Sequence, residues 1–144
     1  MRILMFFAMS SNRTVRKTEV ADRCNASESH VAVVIHQLGL AGYLKTLRGR
    51  GGRIRLNAAP ADIYVGAVFR EFEHKYPFAE CFDQTGNTCP LIQHCSLKPL
   101  IGEALGAFYD VLYKASLSDL VTGNSGLAKV LNLPPVNTRS ARRR

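Results

Sequence analysis

No stretch of this sequence is apolar for the roughly twenty residues that a membrane-crossing helix needs, so a membrane-spanning role is excluded. The apolar opening, Met1 to Met9, is followed by no alanine-type cleavage site, and helical sequence begins soon after it; a cytoplasmic protein is therefore expected. Acidic residues are few: 11 Asp and Glu stand against 19 Lys and Arg, a formal charge of +8. A solvated surface does not require that imbalance, whereas a polyanionic partner does, nucleic acid first and an acidic membrane surface second. Cysteines are also few, at positions 24, 81, 89 and 95, and no two stand two to four apart, the pairing usual in zinc sites. In a reducing compartment, thiols clustered as the last three are read as metal ligands before disulfides.

What is present suffices for a core. The 144 residues are 47% apolar, enough for one compact domain or for a small domain with an assembly arm. Residues 1–9 are apolar throughout and read as a buried helix. Thr14 to Arg23 spaces Val15, Val20 and Ala21 as one face of a short amphipathic helix. After Cys24-Asn-Ala26, Ser27 is an N-cap for a helix whose core stripe is Val31, Val34, Ile35 and Leu38, with Gly39 and Gly42 at its end. Tyr43 to Arg48 alternates as a strand, Gly49 to Arg53 is a tight basic turn, and Ile54 to Leu56 is the return strand. Two helices with a short turn, then a basic hairpin, outline a winged helix-turn-helix.

Asp62 is expected to cap a helix running to about Glu73. Residues 74–96 have no sustained period and carry three of the cysteines. From Leu97, helical spacing is clear through Leu100, Ile101, Ala104, Leu105, Phe108, Leu112 and Ala115. So long a stripe must bury against something, and a second subunit is expected to supply it. Ser116 starts a further short helix. The organisation expected is a winged helix-turn-helix over 1–57, a connecting helix over 58–80, a cluster-binding loop over 81–95, dimerisation helices over 96–122 and a disordered basic tail over 123–144. The fold class is mainly α with a small β-hairpin, a winged helix-turn-helix plus a long dimerisation helix.

In such a motif the second helix lies in the major groove with its first residues toward base edges. Those residues are Ser27, Glu28, Ser29 and His30; a glutamate can accept from a cytosine amino group. Thr14, Arg16, Lys17 and Thr18 stand where phosphate contacts are made, which position rather than specify. Arg48, Arg50 and Arg53 on the hairpin suit the minor groove or its phosphates. Cys24, in the turn between the helices, is expected to be a small buried filler.

Cys81, Cys89 and Cys95 are three soft ligands on one loop segment. Their wide gaps let each thiolate reach a different iron of an iron–sulfur cluster, 4Fe-4S or 2Fe-2S, and favour that modestly over zinc. His94 and Asp83 lie nearby as further donors, and Pro90 stiffens the loop after Cys89.

These pieces resemble the iron–sulfur winged-helix transcription regulators, the family that includes NsrR and IscR, and most of all its nitric-oxide-sensitive repressors. The resemblance rests on Thr18-Glu-Val-Ala-Asp-Arg23, Ser27-x-x-His30, Leu38-x-x-Ala-Gly-Tyr-Leu44 and Arg48-Gly-x-Gly-Gly-x-Ile-Arg-Leu56. It continues through Asn87-Thr-Cys-Pro-Leu-Ile-Gln-His-Cys-Ser-Leu-Lys98 and Ser116-Leu-Ser-Asp-Leu120. It implies a homodimer seamed by the long helix, a cluster on Cys81, Cys89 and Cys95, and repression from a double-stranded DNA operator while the cluster is intact. Nitric oxide is the implied signal and nitrosylation of the cluster the implied release; no catalysis is involved. Set against the family pattern, the first helix reads as shortened, and the polar residue that supplies a fourth ligand falls before Met1. The seven-residue gap between Cys81 and Cys89 is longer than in many members. Arg53 replaces a wing glycine, and Val33 stands where lysine is frequent. Two alternatives stay open: a regulator answering iron, cluster or redox status, and a zinc-stabilised DNA-binding protein with no sensing role.

Overall fold

The computed structural model describes residues 1–10, 13–47, 53–73, 77–83 and 85–136. The elements in chain order are α1 (Arg2–Met9), α2 (Lys17–Cys24), α3 (Glu28–Leu40), β1 (Leu44–Leu47), β2 (Arg53–Leu56), α4 (Val65–Glu73), α5 (Leu97–Tyr113), α6 (Leu117–Val121) and α7 (Ser125–Val130). Short 3-10 turns occupy Pro60–Asp62 and Glu80–Phe82. The chain forms two units. One comprises the residues up to Ile63 together with those from Ser116 onward; the other is Tyr64–Ala115.

The first unit is built around α1. Beyond exposed Arg2, every residue of that helix is apolar, as the burial of most of its surface requires. Leu4, Phe6 and Met9 are fully buried, and Phe6 meets Phe7 edge to face with ring centroids 5.6 Å apart. It packs against α2, β2 and α6, whose Val20, Leu56, Leu117 and Val121 are buried with it. Between α2 and α3 the chain turns at Asn25, whose φ of 47° is left-handed, a conformation asparagine tolerates better than most residues. The Ala26 N–H then closes on the Ala21 carbonyl at 3.0 Å, and buried Cys24, 2% exposed, fills the space beneath. α3 runs through Gly39 and stops before Gly42, whose φ of 80° admits glycine readily. β1 and β2 pair antiparallel, Leu44 with Leu56 and Thr46 with Ile54 on one face, Lys45 with Arg55 and Leu47 with Arg53 on the other. Alternation along the strands thus sends Leu44, Ile54 and Leu56 into the core.

Three boundaries differ from the sequence reading, each for a physical reason. α2 begins at Lys17 rather than Thr14 because Val15 is extended. It exchanges two backbone hydrogen bonds with Ile54, both 2.9 Å, and so adds a bridge beside β2. Arg53 belongs to β2 rather than to the turn. Asp62 caps no long helix. Pro60, with its fixed φ, opens a 3-10 turn that closes at Asp62, Ile63 is extended and buried, and α4 begins only at Val65.

The expected disorder from residue 123 is corrected for 123–136. Asn124 caps α7 by accepting from the Leu127 N–H at 2.9 Å, Ala128 and Leu131 are buried, and Val136 bridges to Thr122. Residues 137–144 lie outside the described residues. α6 starts on a reciprocal capping box. The Ser116 hydroxyl accepts from the Asp119 N–H at 3.2 Å, and the Asp119 carboxylate accepts from the Ser116 N–H at 2.8 Å.

In the second unit, α4 packs on α5. Gly66 permits it: a Cβ there would lie 2.7 Å from the Tyr113 ring. Phe69 meets Phe108 edge to face at 6.2 Å, and the Arg70 guanidinium lies over the Tyr109 ring at 4.8 Å. Yet no residue of the seventeen in α5 is buried.

Candidate nucleic-acid interface and cysteine loop

The start of α3 is shaped by its cap. The Ser27 hydroxyl accepts from the His30 N–H at 3.3 Å and lies 3.3 Å from the Ser29 hydroxyl. Capping holds Ser27 in place and leaves Glu28, Ser29 and His30 exposed on the first turn, where an anion also meets the positive end of the helix. Lys17, at the start of α2, pairs with Glu28 at 3.5 Å, so one candidate phosphate contact restrains one candidate base reader.

The bridge between Val15 and Ile54 does more than bound α2. It sets Thr14 and Arg16 on either side of a residue paired to the one between Arg53 and Arg55. Arg16, Thr18 and Arg53 are exposed, Thr14 and Lys17 half-buried. The structure therefore brings the phosphate candidates Thr14 and Arg16, just before α2, to the same strand as the wing candidate Arg53. Arg48 and Arg50 lie outside the described residues. Sequence reasoning missed Lys45 and Arg55. Directly opposed like charges destabilise a sheet unless an anion meets them, and this pair shares its face with Arg53. The strict two-residue alternation of both strands carried that signal. Arg13, by contrast, is committed to a two-pronged ion pair with Glu19; the guanidinium hydrogen bond holds the Glu19 carboxyl below the usual carboxylate range.

Cys81, Cys89 and Cys95 are all free thiols, all half-buried and all in the second unit. Cys81 sits in the 3-10 turn Glu80–Phe82. Cys89 and Cys95 flank consecutive turns in which the Ile92 N–H donates to the Cys89 carbonyl at 3.3 Å and the His94 N–H to the Leu91 carbonyl at 2.9 Å. Among the described residues, none from Glu80 to Ser96 lies in an α-helix or strand. Among the described residues, no three His, Cys, Asp or Glu side chains converge as a metal-holding group. The donor chemistry of the three thiols thus fits an iron–sulfur cluster, while a cage is not preformed.

Side chains organise the segment instead. The Thr88 N–H and hydroxyl both donate to one Glu80 carboxylate oxygen at 2.6 Å, the Thr85 N–H and hydroxyl donate to Asp83 at 2.8 and 3.0 Å, and the Cys89 N–H donates to Asn87 at 3.0 Å. These bonds hold the Glu80 and Asp83 carboxyls below the usual range. Asp83, a further donor in the sequence reading, is thereby engaged in its own turn, and His94 is exposed. Cys24 stands apart in the first unit, where burial pushes its thiol pKa up.

On α5 the structure splits the apolar pattern in two. Ile101, Leu105 and Leu112 are half-buried, while Leu97, Leu100, Ala104, Ala107 and Val111 are exposed. The exposed set repeats at intervals of three, four, three and four residues, the spacing of an interhelical seam. Leu100 is 61% and Val111 63% exposed.

A family model described as Rrf2, iron-dependent transcriptional regulator, matches residues 1–123. The chain is 38% identical to the HTH-type transcriptional regulator NsrR of Bacillus licheniformis over 133 residues, 92% of this chain and 93% of that protein. It is equally identical to the NsrR of Bacillus subtilis over 134 residues, 92% of each. Among solved structures, IscR of T. potens superposes with a TM-score of 0.62 at 24% identity, covering 81% of this chain and 77% of that one. CymR of Staphylococcus aureus superposes with a TM-score of 0.61 at 20% identity, covering 81% and 87%. These two share the fold. Among the described residues no helix is long and apolar enough to cross a membrane.

Proposed function

The chain belongs to the Rrf2 family of iron-dependent transcriptional regulators, and from that premise we propose a cytoplasmic homodimeric repressor that senses nitric oxide through an iron–sulfur cluster held by Cys81, Cys89 and Cys95. As a transcriptional regulator of the NsrR type it has no catalytic reaction to perform. The observation that carries the sensing reading is the set of three free, half-buried thiols on a segment whose described residues form no α-helix or strand. A bound cluster supplies iron, which nitric oxide binds in competition with thiolate.

The chain's own residues do the rest. Glu28, Ser29 and His30, held by the Ser27 cap, face base edges in the major groove. Thr14, Arg16, Lys17 and Thr18 engage phosphate beside them, with the Lys17–Glu28 pair setting their register. Arg53, with Arg48 and Arg50, serves the wing. The exposed stripe of α5 meets its copy in a second subunit, where Ala104 and Ala107 admit close approach between Leu100 and Val111. The thiol segment and α5 belong to one unit, whose two ends continue into the reading unit at Ile63 and Ser116. A change in the ordering of 81–95 therefore reaches the reading unit through two chain joints in each subunit, and a paired set of half-sites is sensitive to small changes in spacing.

Cys89→Ser tests the reading. In protein prepared without oxygen, the variant is expected to lose visible absorbance and acid-labile sulfide, and its DNA binding to become indifferent to nitric oxide, while the dimer persists in sedimentation. A variant still released from DNA by nitric oxide would refute the role of the thiols.

A further inference from the structure

Glu80 immediately precedes Cys81 and Thr88 immediately precedes Cys89, and these two flanking residues are bonded to each other. One oxygen of the Glu80 carboxylate accepts from both the backbone N–H and the hydroxyl of Thr88, each at 2.6 Å. We propose that Glu80 is a positioning residue for the thiol segment, closing it so that Cys81 and Cys89 are brought near one another before iron arrives. The proposal rests on the reading that these cysteines hold a cluster, and it concerns how the chain prepares them.

Three observations support it. First, the contact joins two groups of the chain itself and occupies neither thiol. Second, other described residues between the two cysteines are tied down in the same way. Asp83 accepts from the Thr85 N–H and hydroxyl, and Asn87 accepts from the Cys89 N–H at 3.0 Å. Side-chain oxygens thus replace the backbone pairing that a helix or strand would have provided. Third, the gap between Cys81 and Cys89 is wide, and bringing two ligands together across a flexible gap costs closure entropy that grows with its length. A bond joining the residues beside the two ligands meets that cost ahead of binding, which is how preorganisation raises affinity. A carboxylate suits the task because it can accept two hydrogen bonds at one oxygen, and charge-assisted bonds are stronger than neutral ones.

The role is distinct from ligation and can be separated from it. Glu80→Ala removes the acceptor, whereas Glu80→Gln keeps a carbonyl oxygen at the same reach and removes a metal-binding carboxylate. Two quantities are measured on the full-length chain. One is hydrogen exchange at the Thr88 and Cys89 amides in iron-free protein. The other is the rate at which protein reconstituted with ferrous iron and sulfide loses iron to a chelator.

Glu80→Ala should speed exchange at both amides and accelerate iron loss, each by about tenfold, the worth of one net charge-assisted bond. Glu80→Gln should lie much nearer the wild type in both, with α4 and α5 exchange unchanged in either variant. Unchanged exchange in Glu80→Ala would overturn the proposal, as would faster exchange with unaltered iron loss. Glu80→Gln that keeps its amide protection yet loses iron as Glu80→Ala does would make Glu80 a ligand and also overturn it. Wild-type protein that takes up no iron would instead defeat the reading of the cysteines, and this proposal with it.

Discussion

Asp119 shows how much a single exposed residue can settle. Its carboxylate accepts from the Ser116 N–H and from the Ser116 hydroxyl, and these bonds hold its pKa below the usual carboxylate range. The depressed value fixes the sign of a pH effect. The contribution to stability is present above the ordinary aspartate pKa of about 3.9 and is lost as pH falls through the lower folded value. Asp119→Asn should therefore melt below the wild type near neutral pH, the two converging only as pH falls from about 3.9 through the lower folded value; a difference that did not narrow over that fall would contradict the assignment. At this scale the sequence is legible where a rule is local. The Ser27 cap and the Ser116 start could be read because the partner of each lies three residues on. The Glu80–Thr88 and Lys17–Glu28 contacts could not, because bonds across eight and eleven positions, one in irregular chain and one between two helices, leave no periodic trace.

Among the elements, α5 carries the heaviest expectation. Helical spacing announced it correctly, yet did not say which apolar side chains serve the chain itself and which are left for another. Both sets share one period, and only the packing of α4 separates half-buried Ile101, Leu105 and Leu112 from exposed Leu97, Leu100 and Val111. Leu100→Glu should consequently dissociate the proposed dimer at least a hundredfold more readily, a cost of roughly 3 kcal/mol or more for an unpaired charge in an apolar seam. The helical content of the monomer should stay unchanged. Sedimentation equilibrium reads the outcome, and an unaltered dimer would move the seam elsewhere. The hairpin was legible by alternation, but Arg53 was misplaced in its turn. It pairs with Leu47 as the last rung of the hairpin, and its neighbour Ile54 is bridged on the other side by Val15.

For the whole molecule, element order was enough to foresee a winged helix-turn-helix followed by a long helix. The division of the chain was not foreseen. Residues from Ser116 onward return to the unit that holds α1, because Leu117 and Val121 complete its core and the Leu117 N–H bonds the Ile63 carbonyl at 2.7 Å. The brevity of α7, six residues between Gly123 and Pro134, concealed it; a single asparagine cap and two buried side chains stabilise it. Cys81, Cys89 and Cys95 thus lie in one unit and the candidate base-reading side chains in the other, so the proposed sensing requires communication along the chain. The most direct test titrates nitric oxide, without oxygen and at fixed salt, into iron- and sulfide-loaded protein bound to operator-length DNA. The binding free energy and the iron content are followed together. Steeply salt-dependent binding that is lost as nitric oxide reaches parity with iron is the expected result. Binding that persists with nitrosylated iron still on the protein would contradict the account at its centre.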